Sequence, residues 1–112
     1  MSPGSIIAAA FVAALLCGCA SVSPSASAAA DADRGGALAQ DLCAGCHAVS
    51  DSHPRPNPNA PPFSSLLSAY DEARLTQDLQ NGTLMGHPPL PSVRLNAAGA
   101  RDLVAYLKSI NP

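Results

Sequence analysis

The chain is poor in aromatic, basic and β-branched residues, and the last two shortages each argue against a class of protein. It has no tryptophan, two phenylalanines, two tyrosines and a single lysine. Six basic and eight acidic residues give a net charge of −2 without a basic stripe, which argues against a nucleic-acid partner. From Asp31 onward only six residues are β-branched, and none are adjacent, so strands have little to be made from. These features predict an all-α domain.

The first thirty residues carry no Asp, Glu, Lys or Arg. Residues 6–16, "IIAAAFVAALL", have the length of the apolar region of a secretory signal and are too short to span a bilayer comfortably. A buried core helix is the alternative, and the lack of a basic side chain before Ile6 counts in its favour. We expect residues 1–30 to be a leader and tether, and residues 31–112 to form one domain.

The sequence offers two alternative positions at which the leader could end. "LCGC" at residues 16–19 resembles a bacterial lipobox, which would make Cys19 a lipid-carrying N-terminus and the membrane a contact through that anchor alone. "SAAAD" at residues 27–31 offers small residues for an ordinary signal peptidase. Residues 20–30 would then be a flexible tether or part of the cleaved leader. Either outcome places the domain in the periplasm, free or tethered to the membrane.

Three helices are predicted, at residues 33–46, at residues 71–80, and from Asn96 or Ala97 to Ile110. Their apolar positions recur at helical spacing: Leu38, Leu42 and Cys46; Leu75 and Leu79; Leu103, Tyr106, Leu107 and Ile110. Residues 50–70 hold five prolines between Pro54 and Pro62, which predicts a rigid, extended loop without a helix. A domain this small usually needs disulfides, a metal or a cofactor to complete its core.

The most informative motif is "CAGCH" at residues 43–47. C-x-x-C-H is the attachment signature of c-type haem. On a helix Cys43 and Cys46 face the same way, so both could form thioethers with one porphyrin, and His47 could then bind the iron. A redox dithiol would need a βαβ setting. A zinc site would need more ligands, and only His53 and His87 remain, without paired spacing. Covalent haem c is the interpretation that the motif favours, and it agrees with export.

Residues 31–112 resemble the class I cytochromes c of the small bacterial type. The resemblance includes "DRGGALAQDLCAGCHAV", "NAPPF", "GHPPLP" and "DLVAYLKSI". It implies an all-α fold of three to four helices wrapped around one covalently attached haem. It also implies that the first and last helices cross, with Gly35 or Gly36 facing Leu103 and Tyr106.

The resemblance also implies which residues lie on the two axial sides of the haem iron. The imidazole of His47 would donate its other N–H to a proline carbonyl, that of Pro61 or Pro62. In similar cytochromes the sixth ligand is a methionine in an "HP-x-M-P" loop. This chain has "HPPLP" at residues 87–91, so Leu90 stands where the methionine is expected. A leucine has no lone pair with which to bind iron. Three outcomes stay open, namely Met85 as a displaced ligand, His87 as a second histidine, or a face capped only by Leu90.

The function depends on what binds or covers the iron on the distal face of the haem, the side opposite His47. A methionine ligand raises the reduction potential and suits electron transfer, whereas an open face admits CO or NO. We expect an exported electron-transfer carrier and not an enzyme, with a five-coordinate haem module that binds or senses small gases as the alternative. No acid–base pair for peroxidase chemistry is evident apart from His87. The expected partners are redox proteins, such as a respiratory complex or a dehydrogenase, met in weak and transient contacts.

Overall fold

A computed structural model describes residues 21, 23–88 and 93–111 of the chain. It contains four α-helices, α1 (Pro24–Leu42), α2 (Leu66–Ala69), α3 (Glu72–Asn81) and α4 (Ala97–Ile110), and a 3-10 helix (Phe63–Ser65). No strand occurs in this part of the chain, so the prediction of an all-α fold is confirmed. Within the same ranges, no helix combines the length and apolarity that a membrane crossing requires. The predictions for residues 6–16, Cys19 and Leu90 lie outside the described residues.

Helix α1 starts earlier and stops earlier than the sequence predicts. It begins at Pro24, inside the segment for which a tether or cleaved leader is expected, and ends at Leu42 rather than at Cys46. Proline is well placed in the first turn of a helix, and the alanines that follow have the highest helix propensity. That the leader ends near residue 30 stays a prediction.

The expectation of a loop without any helix over residues 50–70 is wrong for its second half. The five prolines all precede Phe63, and the following residues, "FSSLLSA", form the 3-10 helix and α2. The Pro62 carbonyl starts this segment by accepting hydrogen bonds from the backbone N–H of Ser65 at 3.0 Å and from its hydroxyl at 2.9 Å. Proline therefore suppresses helix only up to Pro62.

Helices α1 and α4 form the most extensive helix pair of the fold, and they meet at two glycines. A Cβ atom on Gly35 would overlap the carbonyl group of Asp102, and one on Gly36 would lie 3.2 Å from the ring of Tyr106. The Arg34 guanidinium adds a two-point ion pair to Asp102, with N···O distances of 2.9 and 3.1 Å. The crossing that the resemblance implies is therefore present, with the backbones in close approach.

This approach changes which face of α1 is buried. The predicted stripe of Leu38, Leu42 and Cys46 is not the core face, because Leu42 is 39% exposed and Cys46 is exposed as well. The buried positions are Gly35 and Ala39. Only small side chains fit where α4 comes this close, so the periodicity of the leucines marks the wrong face.

The core fills the space between α3, α4 and the segment after the cysteine motif. Its buried members include Val49, Phe63, Leu75, Leu79, Leu103, Val104 and Leu107. Both helices have side-chain caps, because Asp71 accepts from the Arg74 N–H at 2.9 Å and Asn96 accepts from the Gly99 N–H at 2.8 Å. The predicted apolar faces of α3 and α4 are thus the observed ones, with Tyr106 and Ile110 at the core margin.

Candidate haem-binding site

The "CAGCH" segment forms a hydrogen-bonded turn directly after α1. The Cys43 carbonyl accepts from the N–H of Cys46 at 3.1 Å and from that of His47 at 2.9 Å. The motif was expected inside the helix, but these bonds preserve a single helical turn after the helix ends at Leu42. Both thiols are free, with Cys43 half-buried at the edge of the core and Cys46 exposed. The turn therefore holds two unpaired thiols and a histidine within five residues.

The thiol of Cys43 is in a poor setting for redox exchange. Burial raises its pKa to about 11, whereas the nucleophilic cysteine of a redox dithiol has a pKa below the ordinary thiol value. At neutral pH the Cys43 thiol stays protonated. This setting argues against a redox dithiol at the motif.

His47 is buried, and one hydrogen bond orients its ring and identifies the tautomer of its neutral form. Its Nδ1 lies 2.7 Å from the carbonyl oxygen of Pro61. Because a carbonyl only accepts, Nδ1 is the donor in this bond, and Nε2 is the nitrogen left for a metal in the neutral ring. Of the two prolines that the resemblance named, Pro61 is therefore the one in contact, while the Pro62 carbonyl accepts from Ser65.

The proline-rich loop and α4 both hold the segment around His47 in place. The Asn57 N–H donates to the Cys46 carbonyl at 3.1 Å, and the Phe63 N–H donates to the Ala48 carbonyl at 2.9 Å. The Tyr106 hydroxyl reaches the Val49 carbonyl at 2.6 Å. Sequence reasoning missed Asn57 and the hydroxyl of Tyr106, since nothing in their spacing signals a hydrogen bond to a distant backbone.

A second structured turn faces the first. Residues 84–87 form a β-turn in which the His87 N–H donates to the Leu84 carbonyl at 3.1 Å, and Gly86 has φ of 77°. A positive φ at this third turn position is the property that selects glycine in a type II turn. The Met85 N–H donates to the Tyr70 hydroxyl at 2.7 Å, which ties the turn to α2.

The Tyr70 hydroxyl that holds this turn is itself hydrogen-bonded to a buried carboxylate on α3. Asp78 is 3% exposed and accepts from Tyr70 Oη at 3.1 Å and from Arg74 Nε at 2.9 Å. The Thr83 hydroxyl also donates to it, at 3.2 Å. The neighbouring Arg74 guanidinium, with Tyr70 and Thr83, holds the pKa of Asp78 below its usual value against the opposing effect of burial. Sequence reasoning did not single out this charged anchor of the turn.

The two turns bring His47 and His87 together. Their ring centroids lie 5.8 Å apart with an interplanar angle of 29°. The Nδ1 of His87 lies 3.1 Å from the carbonyl oxygen of Met85, whereas the Met85 side chain is 64% exposed. Within residues 21, 23–88 and 93–111, no group of three His, Cys, Asp or Glu side chains could hold a metal ion. The site instead offers two free thiols, which can form thioethers with a porphyrin, and imidazoles, which can bind an iron that already has four porphyrin nitrogens.

Comparison with known proteins assigns the family. The family model described as cytochrome c matches residues 32–111. Cytochrome c-552 of Bradyrhizobium diazoefficiens is 34% identical over 90 residues, which cover 80% of this chain and 85% of that protein. No solved structure gives a significant match. The chain belongs to the cytochrome c family of haem electron carriers, and its cofactor is covalently bound haem c.

Proposed function

We propose that this protein is an exported electron carrier and not an enzyme, and that Cys43, Cys46 and His47 hold its single haem. The observation that carries the proposal is the hydrogen bond from His47 Nδ1 to the Pro61 carbonyl, which orients the ring and leaves Nε2 as the nitrogen for iron. The two free thiols on the same turn supply the covalent attachment. Haem c, once bound, provides a one-electron couple between ferric and ferrous iron.

The surroundings of His47 suit a carrier because they restrict its movement. The ring is buried, its proton is held by Pro61, and Phe63 packs at a centroid distance of 5.5 Å. Hydrogen bonds from Asn57 and Tyr106 fix the backbone on either side. A ligand that keeps one position in both oxidation states limits the reorganisation that accompanies each electron transfer. The carbonyl partner also tunes the basicity of the imidazole.

Export and partners belong to the same proposal. The uncharged first thirty residues, with the apolar run at residues 6–16, support a leader that directs the domain to the periplasm. The mature chain is either tethered through a lipid on Cys19 or released by cleavage near Asp31. Its partners are redox proteins of a respiratory complex or dehydrogenase type, met briefly and through a small interface.

Haem attachment can be tested directly on protein exported from a bacterial host that matures c-type cytochromes. Denatured wild-type protein should retain haem on a gel and give a pyridine haemochrome with two thioethers. Replacing both Cys43 and Cys46 by alanine should abolish covalent haem, whereas His53→Ala is the matched control that should keep it. Covalent haem that survives the double replacement would contradict the assignment.

The leader is tested by mass spectrometry of the exported protein. We expect either an acylated Cys19 or an unmodified start within residues 29–31. A retained Met1 in membrane-extracted material would show an uncleaved anchor and would contradict both ends of the proposed leader.

A further inference from the structure

We propose that His87, not Met85, is the second axial ligand, so that the haem iron is held between two histidines. This inference rests on the proposed function, because it takes His47 as the first axial ligand. Leu90 stands where similar cytochromes have a methionine ligand, and His87, three positions earlier in the same loop, would take the place of that methionine on the iron.

The distance between the two rings is the first support. Two imidazoles that bind one metal through bonds of about 2 Å each have ring centres about 6 Å apart. The centroids of His47 and His87 are separated by 5.8 Å. These residues are forty positions apart in sequence and lie on different turns, so no local constraint sets this distance. The spacing matches two ligands of a shared metal.

The hydrogen bonding of the two rings is the second, independent support. His87 Nδ1 lies 3.1 Å from the Met85 carbonyl, as His47 Nδ1 lies 2.7 Å from that of Pro61. Both partners are carbonyls, so Nδ1 is the donor in each ring, and in each neutral ring Nε2 is the nitrogen left for a metal. A metal-binding histidine almost always donates its other N–H to such an acceptor. His87 therefore has the tautomer of a ligand.

The turn that carries His87 is held by contacts with its own backbone and with Tyr70. Gly86 supplies the positive φ, the Leu84 carbonyl closes the turn, and the Tyr70 hydroxyl holds the Met85 N–H. Tyr70 is in turn anchored by the buried Asp78. We therefore assign Tyr70 as a positioning residue for His87. Pro88 follows directly and further restricts the backbone of His87.

Met85 is the weaker candidate on the same observations. Its N–H and its carbonyl are both occupied, by Tyr70 and by His87, and its side chain is 64% exposed. His87 is exposed as well, so exposure does not separate the two residues; the position of the His87 ring, with its centroid 5.8 Å from that of His47, does. The carbonyl of Met85 instead serves His87.

The test compares optical spectra of the haem-loaded protein, its Met85→Ala variant and its His87→Ala variant. Wild-type ferric protein should be low-spin and lack the near-infrared sulfur-to-iron band. Met85→Ala should change neither feature. His87→Ala should lose the low-spin spectrum and bind CO rapidly when reduced, whereas the reduced wild type should bind it slowly. Tyr70→Phe should keep full haem content but accelerate CO binding, which a purely structural role would not do.

His87→Gly with added imidazole covers the case in which the alanine variant folds poorly. Free imidazole should restore the low-spin spectrum to this variant and leave the wild type unchanged. Two results would overturn the inference: a sulfur-to-iron band that disappears in Met85→Ala, or a wild-type protein that is already high-spin and binds CO as fast as His87→Ala. Failure of the proposed function is distinguishable, because it would appear as wild-type protein without covalent haem.

Discussion

Replacing Gly35 by alanine tests whether the close approach of α1 and α4 builds this fold. A Cβ atom at this position would lie 2.5 Å from the carbonyl carbon of Asp102 and 2.8 Å from Cβ of Tyr106. Carbon atoms in contact normally lie about 3.5–4.0 Å apart, so the helices would have to separate by about 1 Å. The obstacle includes backbone of α4, which has no rotamer by which to move aside.

The neighbouring glycine provides a matched control. On Gly36 the added methyl group would meet only the Tyr106 ring, at 3.2 Å, and a side chain can shift by a few tenths of an ångström. Both replacements gain about 1 kcal/mol of helix propensity, and overpacking costs about 3 kcal/mol at the upper end of its range. We expect Gly35→Ala to lower the free energy of unfolding by about 2 kcal/mol and Gly36→Ala to change it by less than about 1 kcal/mol.

Urea unfolding of the haem-loaded variants, followed by far-ultraviolet circular dichroism, measures both values by linear extrapolation. The difference between the two variants removes the common propensity gain and isolates the crossing. A Gly35→Ala protein as stable as Gly36→Ala would show that α1 and α4 do not touch at Gly35.

Three further changes test other parts of the structure. Leu103→Ala should cost about 2–5 kcal/mol in urea unfolding because Leu103 is 3% exposed, and a cost below about 0.5 kcal/mol would place it at the surface. Since the Arg74 guanidinium lowers the pKa of folded Asp78, the stability that Asp78 provides is complete above its ordinary pKa and is lost as pH falls through the lower folded value. Asp78→Asn should lower the free energy of unfolding at pH 7 and reduce the further loss of that free energy as the pH falls. An unchanged loss at acid pH would contradict this role. Leu90→Met combined with His87→Ala should create the near-infrared sulfur-to-iron band and raise the reduction potential, because the thioether then meets no competing imidazole and a thioether ligand does both. If neither changes, "HPPLP" is not the ligand loop.

The helices on the carboxyl-terminal side could be predicted almost to the residue, because local signals coincide there. Asn96 caps α4, and its apolar positions recur at helical spacing. Likewise, Asp71 caps α3, which ends before Gly82 with φ of 70°. The buried face of α1 could not be found this way. It is set by how closely another helix approaches, so Gly35 and Ala39 are buried while Leu42 is exposed.

The candidate site likewise has one part that the sequence predicts and one part that it does not. "CAGCH" indicates its chemistry from sequence alone, because the attachment residues are adjacent in the chain. The distal side depends on long-range contacts that leave no periodic signal. The bond between Tyr70 and the Met85 N–H joins residues fifteen positions apart, and the pairing of His47 with His87 joins two loops. Such contacts follow from the tertiary structure and not from spacing.

The most direct test of the central claim is voltammetry of the purified haem-loaded protein, with the optical spectrum recorded at each applied potential. The account predicts one reversible one-electron wave, with the iron low-spin in both oxidation states. It also predicts a potential below that of a histidine–methionine haem, because a methionine ligand raises the potential. An irreversible wave, or a ferrous state that turns high-spin on reduction, would contradict a carrier whose two axial ligands stay in place.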